Sequence, residues 1–230
     1  MILEACVSSY ESAKYASHKK LDRVELCAGL EIGGLTPSLA MQKKVAKLKN
    51  INLHVLIRPR GGDFVYSSEE LKIIKKDIHY ASKHGANGVV FGCLNKNFGL
   101  AEENWALVQY AKSLNLKVTF HRAFDLIPNH MAAIESLCAM GVDTVLTSGG
   151  ALTAMEGIDQ IQKMQSLYGN AIEIMPGGGV KPENLHFFKS LKIPAVHFSI
   201  EKFTRTESAI FGQNHSLDKD KVESILDYFR

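Results

Sequence analysis

The feature that most constrains this chain is an alternation, repeated eight times, of a short apolar run with a longer segment of helical periodicity. The runs are LEACV near the start, RVELC (23–27), LHVLI (53–57), GVVFG (88–92), KVTF (117–120), DTVLT (143–147), AIEIM (171–175) and AVHFS (195–199). Runs this short, rich in β-branched residues and bounded by turn signals, predict strands. The segments between them carry helix punctuation. The first helix is expected over 10–19, and the second starts at Thr36 as cap with Pro37 at its first position. The third opens with a capping box from Ser67 to Glu70 and stops at Gly85. Further helices are expected around 103–113, over 129–140 before Gly141, after a Thr153 cap with Glu156 three residues on, from Pro182, and over 217–229. Strand-helix units with short connections and no composition break predict an α/β fold, a closed (β/α)8 TIM barrel, as a single domain over 1–230. A doubly wound open sheet is the alternative, and eight regular units in this length favour closure.

At 230 residues the chain is long enough to bury a large core. Its formal charge of +3 is too small to imply a nucleic-acid or anionic-membrane partner. The lysine-dense stretches 43–49 and 72–76 have apolar residues at helical spacing between the lysines, which fits solvated helix faces. No run approaches the length of a membrane span, and the strand pattern beginning at Ile2 leaves no room for a cleaved leader, so a cytoplasmic protein is expected. The four cysteines, Cys6, Cys27, Cys93 and Cys138, have neither C-x-x-C spacing nor a dense framework, and free thiols are expected.

In a barrel of this kind function sits at the C-terminal ends of the strands, where the polar residues of this sequence collect. Alternation puts Glu4 and Cys6 on one face of the first strand, and Glu25 and Cys27 on one face of the second. Arg58, His121, Glu173, His197 and Ser199 fall on inward or mouth-facing positions as well. Burying so many ionisable groups costs several kcal/mol each unless they pair, bind a metal or meet a charged ligand. One resting arrangement is an ion-pair network of Arg58 with Glu4 and Glu25. Glu4, Glu25 and His121 are also the candidate catalytic acid-base groups, one carboxylate ionised and the other raised in proton affinity by its neighbour. His121, Arg122 and Asp125 follow the fifth strand as HRAFD; the histidine suits a base or metal ligand and Arg122 an anion, or the three form a hydrogen-bonded barrel end. Gly177, Gly178 and Gly179, before the Pro182 helix, resemble the backbone cradle with which barrels bind phosphate, although a tight turn needs glycines too. The candidate ligand-binding set is therefore Arg58, Arg122, Asp125, Gly177, Gly178, His197 and Ser199.

Cys6 and Cys27 stand at the ends of adjacent strands about 4.8 Å apart, which brings two sulfurs within reach of one metal ion. Two thiolates suit Cu(I), whereas zinc would want four donors, a set that His and Glu would complete. Buried cysteine is otherwise a small apolar residue, the reading for Cys138; Cys93, at the end of the fourth strand, could join the rim.

Taken together, LEACV, RVELC with its GL and GG, VLIRPRGGDFVYS, VTFHRAFD, VLTSGG, IMPGGGV and VHFS resemble the copper homeostasis proteins of the CutC type over about 200 residues. The resemblance implies a cytosolic barrel, a copper ion as partner, and Cys6 and Cys27 as the residues that hold it. Two functions follow: a Cu(I)-binding protein, or an enzyme acting on a small anionic or phosphorylated metabolite.

Overall fold

Each of the eight apolar runs becomes a parallel strand of one sheet in the computed structural model, which describes residues 1–204 and 214–229. The strands are β1 (Ile2–Val7), β2 (Arg23–Leu26), β3 (Asn52–Leu56), β4 (Gly88–Phe91), β5 (Lys117–Phe120), β6 (Thr144–Thr147), β7 (Glu173–Pro176) and β8 (Ala195–Ser199). Helices α1 (Tyr10–His18), α2 (Leu39–Val45), α3 (Ser68–Lys83), α4 (Glu103–Ser113), α5 (His130–Met140), α6 (Ile158–Tyr168), α7 (Leu185–Ser190) and α8 (Lys219–Asp227) follow the strands in turn. The hydrogen-bonded order is β7-β6-β5-β4-β3-β2-β1-β8, a TIM-type barrel laddered at seven of its eight seams and nearly closed at the eighth. A two-stranded antiparallel hairpin, β9 (Glu201–Thr204) with β10 (Asn214–Leu217), stands where the long connection after the eighth strand was expected. Part of that connection, 205–213, lies outside the described residues.

Strand alternation decides where the core lies. Ala5 and Val7 of β1, Val24 and Leu26 of β2 and Val55 of β3 point outward and are fully buried under the helices. Ile74 and Ile78, one helical turn apart on α3, pack into the same cluster, and each contributes roughly 1.5–3 kcal/mol of burial. The opposite face of β1 and β2, carrying Glu4, Cys6, Arg23 and Glu25, points into the barrel and is also buried. Two chemically different interiors are thus built from alternate residues of the same strands.

Several helix starts differ from expectation: α7 begins at Leu185 after a short 3-10 turn opened by Pro182, α8 begins at Lys219 because Leu217 ends β10, and two more are displaced by tertiary contacts. Helix α2 is capped by Ser38, whose side chain accepts the Met41 N–H at 3.2 Å, and begins at Leu39 rather than Pro37. Thr36 is used elsewhere, its hydroxyl accepting the Arg58 N–H at 2.9 Å and tying the loop to the end of β3. Thr153 and Glu156 do exchange both bonds of a capping box, but α6 begins only at Ile158. The cause is a close backbone crossing. Gly149 has a left-handed φ of 74°, and a Cβ there would stand 2.3 Å from the Gly157 carbonyl oxygen. The helix therefore forms only beyond Gly157. No helix among the described residues is long and apolar enough to cross a membrane.

Gly149→Ala combines a disfavoured φ with a backbone clash, and it should lower unfolding free energy by about 2 kcal/mol or more, measured by denaturant titration. A loss within about 0.5 kcal/mol, the range of a neutral surface change, would show that the crossing relaxes freely.

Candidate metal and ligand site at the barrel mouth

A chain of charged and polar side chains runs up the barrel interior from the N-terminal ends of the strands to the mouth. It begins at Glu173, the first residue of β7, whose carboxylate accepts from Arg23 Nη2 at 2.7 Å and from the Thr144 hydroxyl at 3.0 Å. The Nε of Arg23 donates to Glu4, and the other Glu4 oxygen lies 2.7 Å from His197 Nδ1. Above them Cys6 Sγ lies 3.8 Å from Glu25 Oε1 and 3.7 Å from Cys27 Sγ, and the Cys27 thiol donates to the Val7 carbonyl at 3.4 Å. One ligand atom each from Cys6, Glu25 and His197 fall within 4.8 Å of one another. Register explains the convergence: Glu4 is level with His197 of β8, and Cys6 is level with both Glu25 of β2 and Ser199 of β8.

This arrangement corrects the expected ion-pair network. Arg23, not Arg58, is the partner of Glu4, and it also takes Glu173, which sits inside the barrel but at the end away from the mouth. Arg58 spends its guanidinium on loop carbonyls, donating to Ile32 and Gly34 through Nη1 at 2.9 Å each and to Gly62 through Nη2 at 2.7 Å. It stacks on Phe64, which in turn packs against His121 with ring centroids 4.8 Å apart.

The electrostatics divide the two carboxylates. Burial alone would raise Glu4, but the His197 hydrogen bond and the Arg23 charge outweigh it and hold the group down at about 2. Burial dominates at Glu25 and, with the Glu4 charge added, lifts it to about 7. Its Oε2 is buried without a hydrogen-bond partner among the described residues. Burial would lower His197, yet the Glu25 charge, the Cys6 hydrogen bond and Glu4 raise it well above the usual imidazole value. Cys6 is pushed well up by its hydrogen bond with Cys27 and by burial, so the resting cluster is a neutral thiol beside groups that hold a proton.

A cavity of about 330 Å³ opens over this cluster, lined by Cys6, Glu25, Cys27 and His197 and also by Arg122, Gly178 and Gly179. His121 also lines it but stands outside the Cys6, Glu25, His197 group. Its Nδ1 accepts the Ala123 N–H at 3.3 Å, and burial together with Arg58 drops it to about 3, so it is neutral with the proton on Nε2. Arg122 donates Nε to Asp125 at 2.8 Å and Nη2 to the Ser148 hydroxyl at 2.6 Å. Asp125 is occupied by the loop after β6, accepting from the Thr147 hydroxyl and from the backbone N–H groups of Ser148 and Gly150, and does not line the cavity. Ser199 lines it, though its hydroxyl bonds the Glu201 backbone. Gly177 donates its N–H to Thr147 and is spent on the sheet. Gly178, with φ of 90°, leaves room for Arg122, whose Nη1 would lie 3.0 Å from a Cβ at that position.

Cys93 does not reach the rim. It is buried in the core outside the barrel, with its backbone N–H and carbonyl held by the Asn104 amide. Cys138 packs partly exposed against the same core, and all four cysteines are free. The sequence reading missed Arg23 and Lys221. Arg23 was legible, since it shares the alternation face of Glu25 and Cys27. Lys221 was not, because α8 comes to the mouth only through the path of the chain after β8.

Fold and site together define a TIM-type barrel whose mouth carries a buried cluster of two thiols, a carboxyl and an imidazole. The family model described as the CutC family matches residues 1–202, and the chain belongs to that family. A human relative named copper homeostasis protein cutC homolog is 43% identical over 184 residues, spanning 80% of this chain and 67% of its own. A CutC family protein of Glaesserella parasuis is 36% identical, covering 99% of this chain and 98% of its own. Among solved structures, the CutC protein of Streptococcus agalactiae superposes with a TM-score of 0.78 at 32% identity, over 86% of this chain and 98% of that one. Thiamine phosphate pyrophosphorylase from Pyrococcus furiosus, 13% identical with a TM-score of 0.60, shares the barrel fold alone.

Glu25 sets a pH dependence. Between its ordinary value of 4.5 and its folded value of about 7 the native state binds more protons than the unfolded one, so its contribution to stability falls as pH rises and is lost above that window. Glu25→Gln should therefore raise the melting temperature at pH 8, by the equivalent of up to about 3 kcal/mol, and much less at pH 5. Equal shifts at both pH values would place Glu25 at an ordinary carboxyl value.

Proposed function

We propose that this protein binds Cu(I) at the barrel mouth through Cys6 and Cys27 and serves copper homeostasis in the cytoplasm. The observation that carries the reading is the 3.7 Å separation of the two buried sulfurs, within reach of a single ion. Soft thiolates select Cu(I), and Glu25, with its unpartnered oxygen, and the adjacent His197 supply further donors once they give up their own protons. The pair is suited to metal rather than to a disulfide. Cys6 is level with Glu25, so Cys27 stands two residues further along. At about 3.3 Å per residue and about 4.8 Å between strands the two Cα atoms are roughly 8 Å apart. A disulfide forms without backbone movement only below about 7 Å. The relatives named for copper homeostasis support the same reading.

A second reading, an enzyme acting on a small anionic or phosphorylated metabolite, is favoured by one specific observation. Glu4 and Glu25, held at about 2 and about 7, make a permanently ionised carboxylate and a carboxyl able to exchange a proton at neutral pH, the latter lining the cavity. Arg122 and Gly178 would hold the anion.

Competition against a Cu(I) chelator under anaerobic conditions tests the first reading. Cys6→Ser or Cys27→Ser should weaken Cu(I) binding by at least about a hundredfold, whereas Cys138→Ser should leave it unchanged. Unchanged affinity in the double variant would contradict the assignment. Turnover of a metabolite mixture by the wild type that disappears in Glu25→Gln would put the enzyme reading ahead.

A further inference from the structure

A bare cation is a poor visitor to this cavity. Its lining carries the cationic side chains of Arg58, Arg122 and Lys221 and the imidazole of His197 against one carboxyl, Glu25, among the described residues, while Asp125 and Glu4 pair with Arg122 and His197 from behind it. Lys221 Nζ donates to the Ser199 carbonyl at 2.8 Å, beside the thiol end. Arg122 holds Asp125 through Nε, but its Nη1 has no partner among the described residues and faces Gly178. The backbone N–H groups of Gly178, Gly179 and Val180 likewise make no hydrogen bond among the described residues, and all three residues line the cavity. Arginine beside free backbone donors is an anion site, and it shares one space with the sulfurs. The thiol pair and the anion site line a single cavity large enough for a small organic ligand.

We propose that the cavity receives Cu(I) as an anionic complex with a low-molecular-weight carboxylated thiol, the carboxylate docking on Arg122 and the Gly178 to Val180 backbone while the metal passes to Cys6 and Cys27. This rests on the copper reading above and goes beyond it in naming the form of the cargo. Cu(I) held by two thiolates bears a net negative charge, and carboxylates on the carrier add to it, so the complex is drawn to a mouth that repels the free ion. The exchange balances without oxidant or external base. Two carrier copper–sulfur bonds break as bonds to Cys6 and Cys27 form, copper remains Cu(I), and the two cysteine protons leave on the two carrier sulfurs.

The test is a transfer-rate comparison with three probes of similar size that differ in charge: the Cu(I) complexes of 3-mercaptopropionate, 2-mercaptoethanol and cysteamine. Copper acquired by the protein is measured after anaerobic rapid desalting. Transfer should be fastest from the anionic carrier and slowest from the cationic one, with a spread of about tenfold or more that collapses in about 0.5 M salt. The ratio between carriers is internal to each variant, so a change in Cu(I) affinity cancels. Arg122→Gln should flatten the order, and Arg122→Lys, which keeps the charge, should restore it. Equal rates from all three carriers, or an order that survives in Arg122→Gln, would overturn the proposal while leaving Cu(I) binding intact. Absence of Cu(I) binding in chelator competition would remove the copper reading and this proposal with it.

Discussion

The structure depends on Arg23 lying between Glu4 and Glu173 inside the barrel. Glu4 is wholly buried and ionised, a state that is tolerable only because Arg23 and His197 each give it a charged or strongly polarised hydrogen bond. Removing one partner of such a group typically costs about 3–5 kcal/mol, far more than the pair contributes relative to an apolar replacement. Burial and the charges within the cluster set most of the mouth's proton affinities, and that bridge adds to them. Glu4, once fixed as an anion, raises the proton affinity of both Glu25 and His197, and these flank the Cys6 thiol. A carboxyl that titrates near neutrality and a thiol that stays protonated beside it make a receptacle with little negative charge at rest.

Around that receptacle the loops are held by residues that the sequence presented as ligand groups. Arg58 is a clasp: it joins the loop after β2 to the loop after β3 through three carbonyls and leans on Phe64. Asp125 gathers the loop after β6 through a set of backbone and hydroxyl donors, and so fixes the side of Arg122 that does not face the cavity. Polar residues at a barrel mouth thus divide into those that shape the opening and those with capacity left over. Arg122 Nη1, Glu25 Oε2 and the two thiols belong to the second group.

The barrel was legible because apolar alternation and helix punctuation agree along the chain, and strand positions such as residues 117–120 and 195–199 coincide with β5 and β8. Helix starts were less so. Thr36 and Thr153 carry sound capping chemistry, but a tertiary bond to the Arg58 backbone and a crossing of Gly149 over Gly157 moved the starts downstream. Within the site, alternation alone brought Glu4, Cys6, Glu25 and Cys27 to the right face. It could not say how far up the barrel each side chain sits, which is why Glu173 and Glu4 were read at the same level as the mouth. Pairing partners were beyond it as well, since Arg23 and Arg58 are equally plausible cations until the register puts one of them level with Glu4.

Whether one Cu(I) ion is held by both strand-end sulfurs is decided at the copper atom itself. X-ray absorption at the copper edge, on protein loaded anaerobically with one equivalent of Cu(I), reports the ligating atoms directly. A Cu(I) edge with two sulfur scatterers in the first shell, falling to one in Cys27→Ser, is the expected result. A first shell of nitrogen and oxygen alone in the wild type, or a two-sulfur shell that persists in Cys27→Ser, would contradict it.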